Sequence, residues 1–83
     1  NNKNYTFNLY RIHFNKLYFD TTKNSMHILN LVEGTRIKII SLKNNYEATI
    51  NLSETILIPQ IVGSYKILNI DKCECRIIKV VLK

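Results

Sequence analysis

Apolar and polar residues alternate along much of this chain, and a period of two suits β-strands and little else. Arg36-Ile37-Lys38-Ile39 alternates strictly, and Tyr46, Ala48, Ile50 and Leu52 alternate against Glu47, Thr49 and Asn51. Lys43-Asn44-Asn45 lies between these runs and has turn chemistry, since asparagine tolerates positive φ. The two runs therefore predict a β-hairpin. Looser alternation covers Tyr5 to Ile12 and Phe14 to Phe19, and places His13 at the break between two strands. Met26 to Val32 is dense in Ile, Leu and Val and stops at Glu33-Gly34. Thr55 to Ile58 reads as a short buried strand ended by Pro59, and Gly63-Ser64 as the next turn. Tyr65 to Ile70 and Cys75 to Leu82 follow as strands, separated by a turn at Asp71-Lys72. No segment holds a 3.6-residue period long enough for a helix. About eight strands at the spacing seen in sandwiches and barrels make the expected fold all-β.

Length and composition agree with one folded unit. The 83 residues form a single domain, 1–83, whose core must be small. With 46% of residues hydrophobic and only 22% charged, disorder is excluded. A net charge of +6 permits nucleic-acid or acidic-surface binding. The cations are scattered, however, and lysine outnumbers the arginine whose planar fork suits phosphates and bases. Lysines on solvated strand faces and turns are the better reading, so a nucleic-acid partner is disfavoured.

Cys73 and Cys75 flank Glu74, and in a strand they would share one face, where a bridge between them would be strained. Two thiols with no nearby histidine do not make a zinc site. They read as small buried thiols in a reducing cytosol, which places the chain in the cytoplasm. No run of 18 apolar residues exists to span a membrane. The Asn4 and Asn51 sequons are expected by chance in so asparagine-rich a chain. Asn1 stands where a methionine would begin a gene product, which suggests a piece of a longer protein.

Leu29 to Gly34, the short alternating strand and turn, Tyr46 to Ile50, and Leu52 to Pro59 together resemble a cupin. In that family an apolar strand ends in glycine, a hairpin follows, and a Gly-Asp … Ile-Pro corner turns the chain. More narrowly, the pattern is similar to the C-terminal cupin half of short bacterial type I mannose-6-phosphate isomerases, whose opening strand resembles Tyr5 to Ile12. Their closing strand resembles Cys73 to Val81. Ser53 and Glu54 stand where glycine and aspartate are usual at the corner. Independently of the family, Glu54 can accept backbone N–H bonds in that turn. The resemblance implies a small cupin-like jelly-roll half-barrel of antiparallel strands.

Metal-binding cupins use two histidines one residue apart, a glutamate a few residues later, and a third histidine after the proline corner. Counted back from Gly34, the glutamate position falls on His27 and the histidine pair near Thr21 to Lys23, and no histidine follows Pro59. One imidazole does not hold a catalytic metal. His27 shares parity with Leu29 and Leu31 and is expected to point inward as a hydrogen-bonded core histidine, whereas His13 reads as a turn or rim residue. Asp20 and Asp71 fall at predicted turns, so a paired-carboxylate site would have to borrow Glu33 or Glu54. Ser53 and Ser64 have no base arranged by a motif, and Gly34 and Gly63 stand alone rather than in a phosphate loop. Tyr5, Tyr10, Tyr18, Tyr46 and Tyr65 read as core or rim packing in strands.

The expectation is therefore a chain with no catalytic, cofactor-binding or metal-binding residues of its own. The resemblance implies that it packs on and stabilises the catalytic cupin half of an isomerase parent, with zinc in that other half, and that a homodimer can form. The alternative is a free-standing basic β-barrel, OB-like or SH3-like, that binds nucleic acid or an anionic carbohydrate. A third is a structural accessory domain with an immunoglobulin-like sandwich.

Overall fold

The computed structural model describes residues 7–71 and 73–82. The Tyr5 start of the first strand, the Asn4 sequon and Lys72 of the last turn lie outside the described residues. Eight strands run in order: β1 (Phe7–Phe14), β2 (Leu17–Thr21), β3 (Met26–Glu33), β4 (Arg36–Ser41), β5 (Glu47–Asn51), β6 (Thr55–Ile58), β7 (Ser64–Asn69) and β8 (Cys75–Leu82). The only helical element among the described residues is a single 3-10 turn at Gln60–Val62. The strands form two antiparallel four-stranded sheets, β1-β8-β3-β6 and β2-β7-β4-β5.

The core lies between the sheets. Ile12, Leu29, Leu31, Ile58, Cys75 and Ile77 come from the first sheet, and Ile37, Ile39, Ile50, Tyr65 and Ile67 from the second. In each strand these positions are two apart, so one face of each sheet supplies the interior. The chain is all-β in the form the resemblance implied: two sheets closed on one interior, as in a jelly roll.

Turn chemistry explains several boundaries. Ser53 has φ of +69° at the corner where the family pattern has glycine. Glu54 accepts a bond from the Asn51 backbone N–H at 2.7 Å, so the carboxylate closes the corner as expected. Pro59 stops β6 because it has no N–H to continue the ladder. Gly63, at φ +71° and ψ −136°, adopts a conformation open in practice to glycine alone.

Other expectations need correction. The hairpin between β4 and β5 forms, but its turn does not use asparagine at positive φ, which is found at Lys23, Asn24 and Ser53 instead. Side chains shape that turn: Ser41 Oγ accepts from the N–H groups of Lys43 and Asn44, and Asn44 Oδ1 accepts from that of Tyr46. His13 lies inside β1 rather than at a break, and the chain leaves the first sheet at Asn15-Lys16. Its ring sits 2.9 Å from the Glu74 carboxylate on the surface.

The two cysteines also divide. Cys75 is buried, whereas Cys73 precedes β8 and is exposed, so only one of the two expected buried thiols is buried. Burial, with the Glu33 carboxylate nearby, pushes the Cys75 thiol up to about 11. Thiolate is the reactive form, so iodoacetamide is expected to label Cys73 alone in the native protein and both cysteines in denaturant. Mass spectrometry of the adducts checks this, and rapid native labelling of Cys75 would contradict it.

Candidate functional site

One end of the interior is polar. His27 of β3 and Lys79 of β8 reach it from the first sheet, and Asp20 of β2 and Tyr65 of β7 from the second. Register places them: Asp20 lies directly across from Tyr65, and Lys79 lies between Tyr10 and Leu29. Lys79 Nζ forms an ion pair with Asp20 Oδ2, and the side chains are only 9% and 15% exposed. Asp20 Oδ1 accepts the Thr21 backbone N–H at 2.8 Å. Tyr65 donates its hydroxyl proton to Asp20 Oδ2 at 3.4 Å, and its oxygen lies 2.7 Å from His27 Nδ1. The Lys79 ammonium also sits 4.9 Å from the centre of the Tyr10 ring, a cation–π contact.

These contacts form one chain across the two sheets. The Tyr65 hydroxyl has a single proton, and donating it to Asp20 leaves its oxygen to accept from His27. His27 is then protonated on Nδ1, which makes both contacts favourable and leaves a lone pair on Nε2. Among the described residues no buried side-chain polar atom lacks a partner. A lysine and an aspartate are tolerated here because each neutralises the other and the hydrogen bonds are satisfied.

Burial and the Lys79 ammonium hold the His27 imidazole below its usual 6.5, with Asp20 pulling weakly the other way. The linkage has a definite sign. Below about pH 6.5 the unfolded chain takes up a proton at His27 that the folded chain resists, so stability falls as the pH falls towards the depressed value. Above about pH 6.5 this contribution is constant. The melting temperature is expected to drop between about pH 7 and about pH 5, and the drop to shrink in His27→Gln. An unchanged pH profile in the variant would assign the effect to other groups. Burial likewise raises the Tyr65 phenol, reinforced by the Asp20 carboxylate, and keeps it a neutral donor.

A cavity of about 420 Å³ opens beside this chain, lined by Tyr10, Asp20, Thr21, Thr22, Lys23, Ser25, His27, Lys79 and Val81. Its rim is the Thr22–Ser25 turn, closed by the Ser25 N–H donating to the Thr22 carbonyl at 3.0 Å. Thr22 is itself fixed by donating to the Gln60 carbonyl at 2.8 Å.

The structure turns His27 inward, as its parity with Leu29 and Leu31 indicates, and only 2% of it is exposed. Asp20 is not at a turn: it lies within β2, one residue before its end, and faces the interior. Lys79 is not on a solvated face, being 8% exposed. The signal for Lys79 was present in its parity with Cys75 and Ile77, a charged residue in an inward position. Tyr65 is fully buried, while Tyr10 lies at the rim. Glu33 pairs with Arg76 on the surface and Glu54 closes its corner, so neither completes a carboxylate pair with Asp20.

The residues at this end do not suit a metal ion. Asp20 and His27 are the only donors of the usual ligand types lining the cavity. Among the described residues no group of three or more His, Cys, Asp and Glu side chains converges. Asp20 is engaged by an ammonium, whose positive charge opposes a cation in the same space.

No protein-family model matches this chain, and no curated protein matches it in sequence. Solved structures do. The fold is similar to that of protein NMB1881 from Neisseria meningitidis, with a TM-score of 0.72 and 19% identity over 93% of this chain and 74% of that one. The cupin domain of Cnp3 from Schizosaccharomyces pombe matches with a TM-score of 0.72 and 15% identity, over 90% of this chain and 51% of that one. A cupin-2 domain-containing protein from Shewanella frigidimarina matches with a TM-score of 0.62 and 19% identity, over 94% and 70%. The chain thus spans about half of the Cnp3 cupin domain. At these identities the likeness is one of fold. The fold is that of a cupin domain.

Proposed function

We propose that this chain is a non-catalytic cupin-fold domain that works by packing the outer face of its β1-β8-β3-β6 sheet against another cupin-fold domain. The observation that carries this reading is a row of apolar residues crossing that face. Leu9, Val80, Ile28 and Leu57 lie side by side on the four strands, with Phe7, Leu82 and Met26 in the next row. Leu9 is 51% exposed and Phe7 61%. A soluble domain seldom shows water so continuous an apolar surface without a partner. Three strands of eight residues and one of four, about 4.8 Å apart and rising about 3.3 Å per residue, present roughly 440 Å². Two such faces together come to roughly 900 Å², close to the ~1,000 Å² that a specific interface needs.

The polar end of the interior supports the non-catalytic part of this reading, because its charges neutralise one another. The sequence resemblance supplies the finer proposal: the partner is the catalytic cupin half of a mannose-6-phosphate isomerase-like parent, and zinc chemistry resides there. The basic-module alternative gains no support from the two apolar rows, which carry no cation, although Arg11 and Arg76 lie further along the same face.

The test uses the whole protein encoded with this chain. Val80→Glu should lower its melting temperature by several degrees and expose the β8 amides to hydrogen exchange. An unchanged melting temperature, with the same exchange in both proteins, would refute the packing role. The parent proposal is tested separately, by zinc-dependent conversion of mannose 6-phosphate to fructose 6-phosphate by the whole protein. Tight zinc binding by this chain alone would overturn the non-catalytic reading.

A further inference from the structure

The sequence scatters the cations, but the fold sorts them. Lys38, Arg76 and Lys79 pair with Glu47, Glu33 and Asp20. Among the described residues Arg11, Lys16, Lys23, Arg36, Lys43 and Lys66 pair with no carboxylate. Of these only Arg11 stands on the first sheet, and the rest lie on β2-β7-β4-β5 or on the turns beside it. Glu47 is the one carboxylate that faces outward from a strand of that sheet, and Lys38 already holds it at 2.6 Å.

Register draws these cations into a line. Lys66 and Lys38 alternate with the buried Tyr65, Ile67, Ile37 and Ile39, so both point outward. Lys66 lies across from Ile40, with Lys38 two residues back along β4 and Arg36 two further. The steps are about 7–8 Å on the diagonal and about 7 Å along the strand. Lys43 extends the line past Ser64. It lies over Gly63, where a Cβ would stand 2.9 Å from Lys43 Cδ. Lys43 and Lys23 line a polar groove of about 260 Å³ there, and no carboxylate lines it.

An aromatic ring stands beside the line. Phe19 is directly across from Lys66 and is 59% exposed. Cations in file next to a bare ring suit a polymer whose every unit brings one negative charge and one flat base. A duplex hides the faces of its bases, so the strand must be single.

We propose that the outer face of the β2-β7-β4-β5 sheet binds single-stranded nucleic acid, its phosphates lying along Lys23, Lys43, Lys66 and Arg36 and a base stacking on Phe19. This face is on the opposite side of the sandwich from the packing surface, so both can be occupied at once.

Fluorescence anisotropy of a labelled oligouridylate of about twelve nucleotides, titrated with the whole protein, tests the proposal. The logarithm of affinity should fall with that of salt concentration at a slope of roughly −3, about 0.7 for each of about four phosphates. Lys66→Gln should make the slope shallower by about 0.7. Phe19→Ala should weaken binding about five- to a hundredfold and leave the slope unchanged. A duplex of the same length should bind more weakly than the single strand. Equal affinity in Phe19→Ala, an unchanged slope in Lys66→Gln, or equal affinity for the duplex would overturn the proposal. So would binding to phosphatidylserine vesicles without any response to the oligonucleotide, which would make this face a membrane surface. Val80→Glu should leave oligonucleotide binding intact in any protein that remains folded, so the two faces can fail independently.

Discussion

Replacing Asp20 with alanine is expected to destabilise the domain by about 3–5 kcal/mol, the cost of leaving a buried charge unpaired. Lys79 would keep its ammonium at a position where only 9% of the side chain meets solvent. Tyr65 would lose its acceptor, and the link between β2 and β8 would disappear. For a chain of 83 residues total stability is about 4–12 kcal/mol, so the variant should lose a large share of it and unfold at a markedly lower urea concentration. The informative comparison is the double variant Asp20→Leu with Lys79→Met. It removes both charges, fills similar volume and should recover most of the loss. Urea unfolding of the two proteins decides the matter. If Asp20→Ala unfolds at the same urea concentration as the unaltered chain, the ion pair contributes nothing of consequence.

Leu29→Ala is expected to cost about 2–5 kcal/mol, while Ile28→Ala costs well under half as much in the isolated chain. The two residues are neighbours in β3 and similar in size, but they face opposite ways. Leu29 is fully buried between the sheets, and its removal leaves a cavity that close-packed neighbours cannot fill. Ile28 lies in the outward apolar row and loses only contacts along one sheet surface. In a protein whose partner covers that row, the cost of Ile28→Ala should rise towards that of Leu29→Ala. Chemical denaturation of both variants, in the isolated chain and in the whole protein, measures the difference. Equal costs in the isolated chain would mean that the outer face is already covered by part of this chain.

Much of the strand order was legible because strand and turn signals agree. Arg36 to Ile39, Thr55 to Pro59 and Cys75 to Leu82 were each placed within a residue or two. The errors lie where apolar character does not mark the inward face of a strand. In β2, Leu17 and Phe19 look like the inward residues, yet they are exposed, and Tyr18 and Asp20 face the core. Parity fixes which residues share a face but not which face is inside. The same ambiguity hid Lys79, whose neighbours Ile78 and Val80 are as apolar as Ile77 and Val81. His27 was placed by its parity with Leu29 and Leu31 alone. Its connection to Tyr65 and Asp20 depends on contacts about forty residues apart in sequence, which no local pattern records.

The place of β8 in the first sheet has a consequence for synthesis. This strand, the last of the eight, lies between β1 and β3 and pairs with both along most of their length. Each of them stays unpaired on that side until β8 has left the ribosome. The β2-β7-β4-β5 sheet, in contrast, has all its strands as soon as Asn69 has emerged. At ribosomal speeds of about 5–20 residues per second, β1 waits roughly 3–12 s for its partner. During that interval the two apolar rows have no sheet to lie on, and Phe7 and Leu9 on β1 are open to chance association. The nascent domain is therefore most vulnerable just before its final strand arrives.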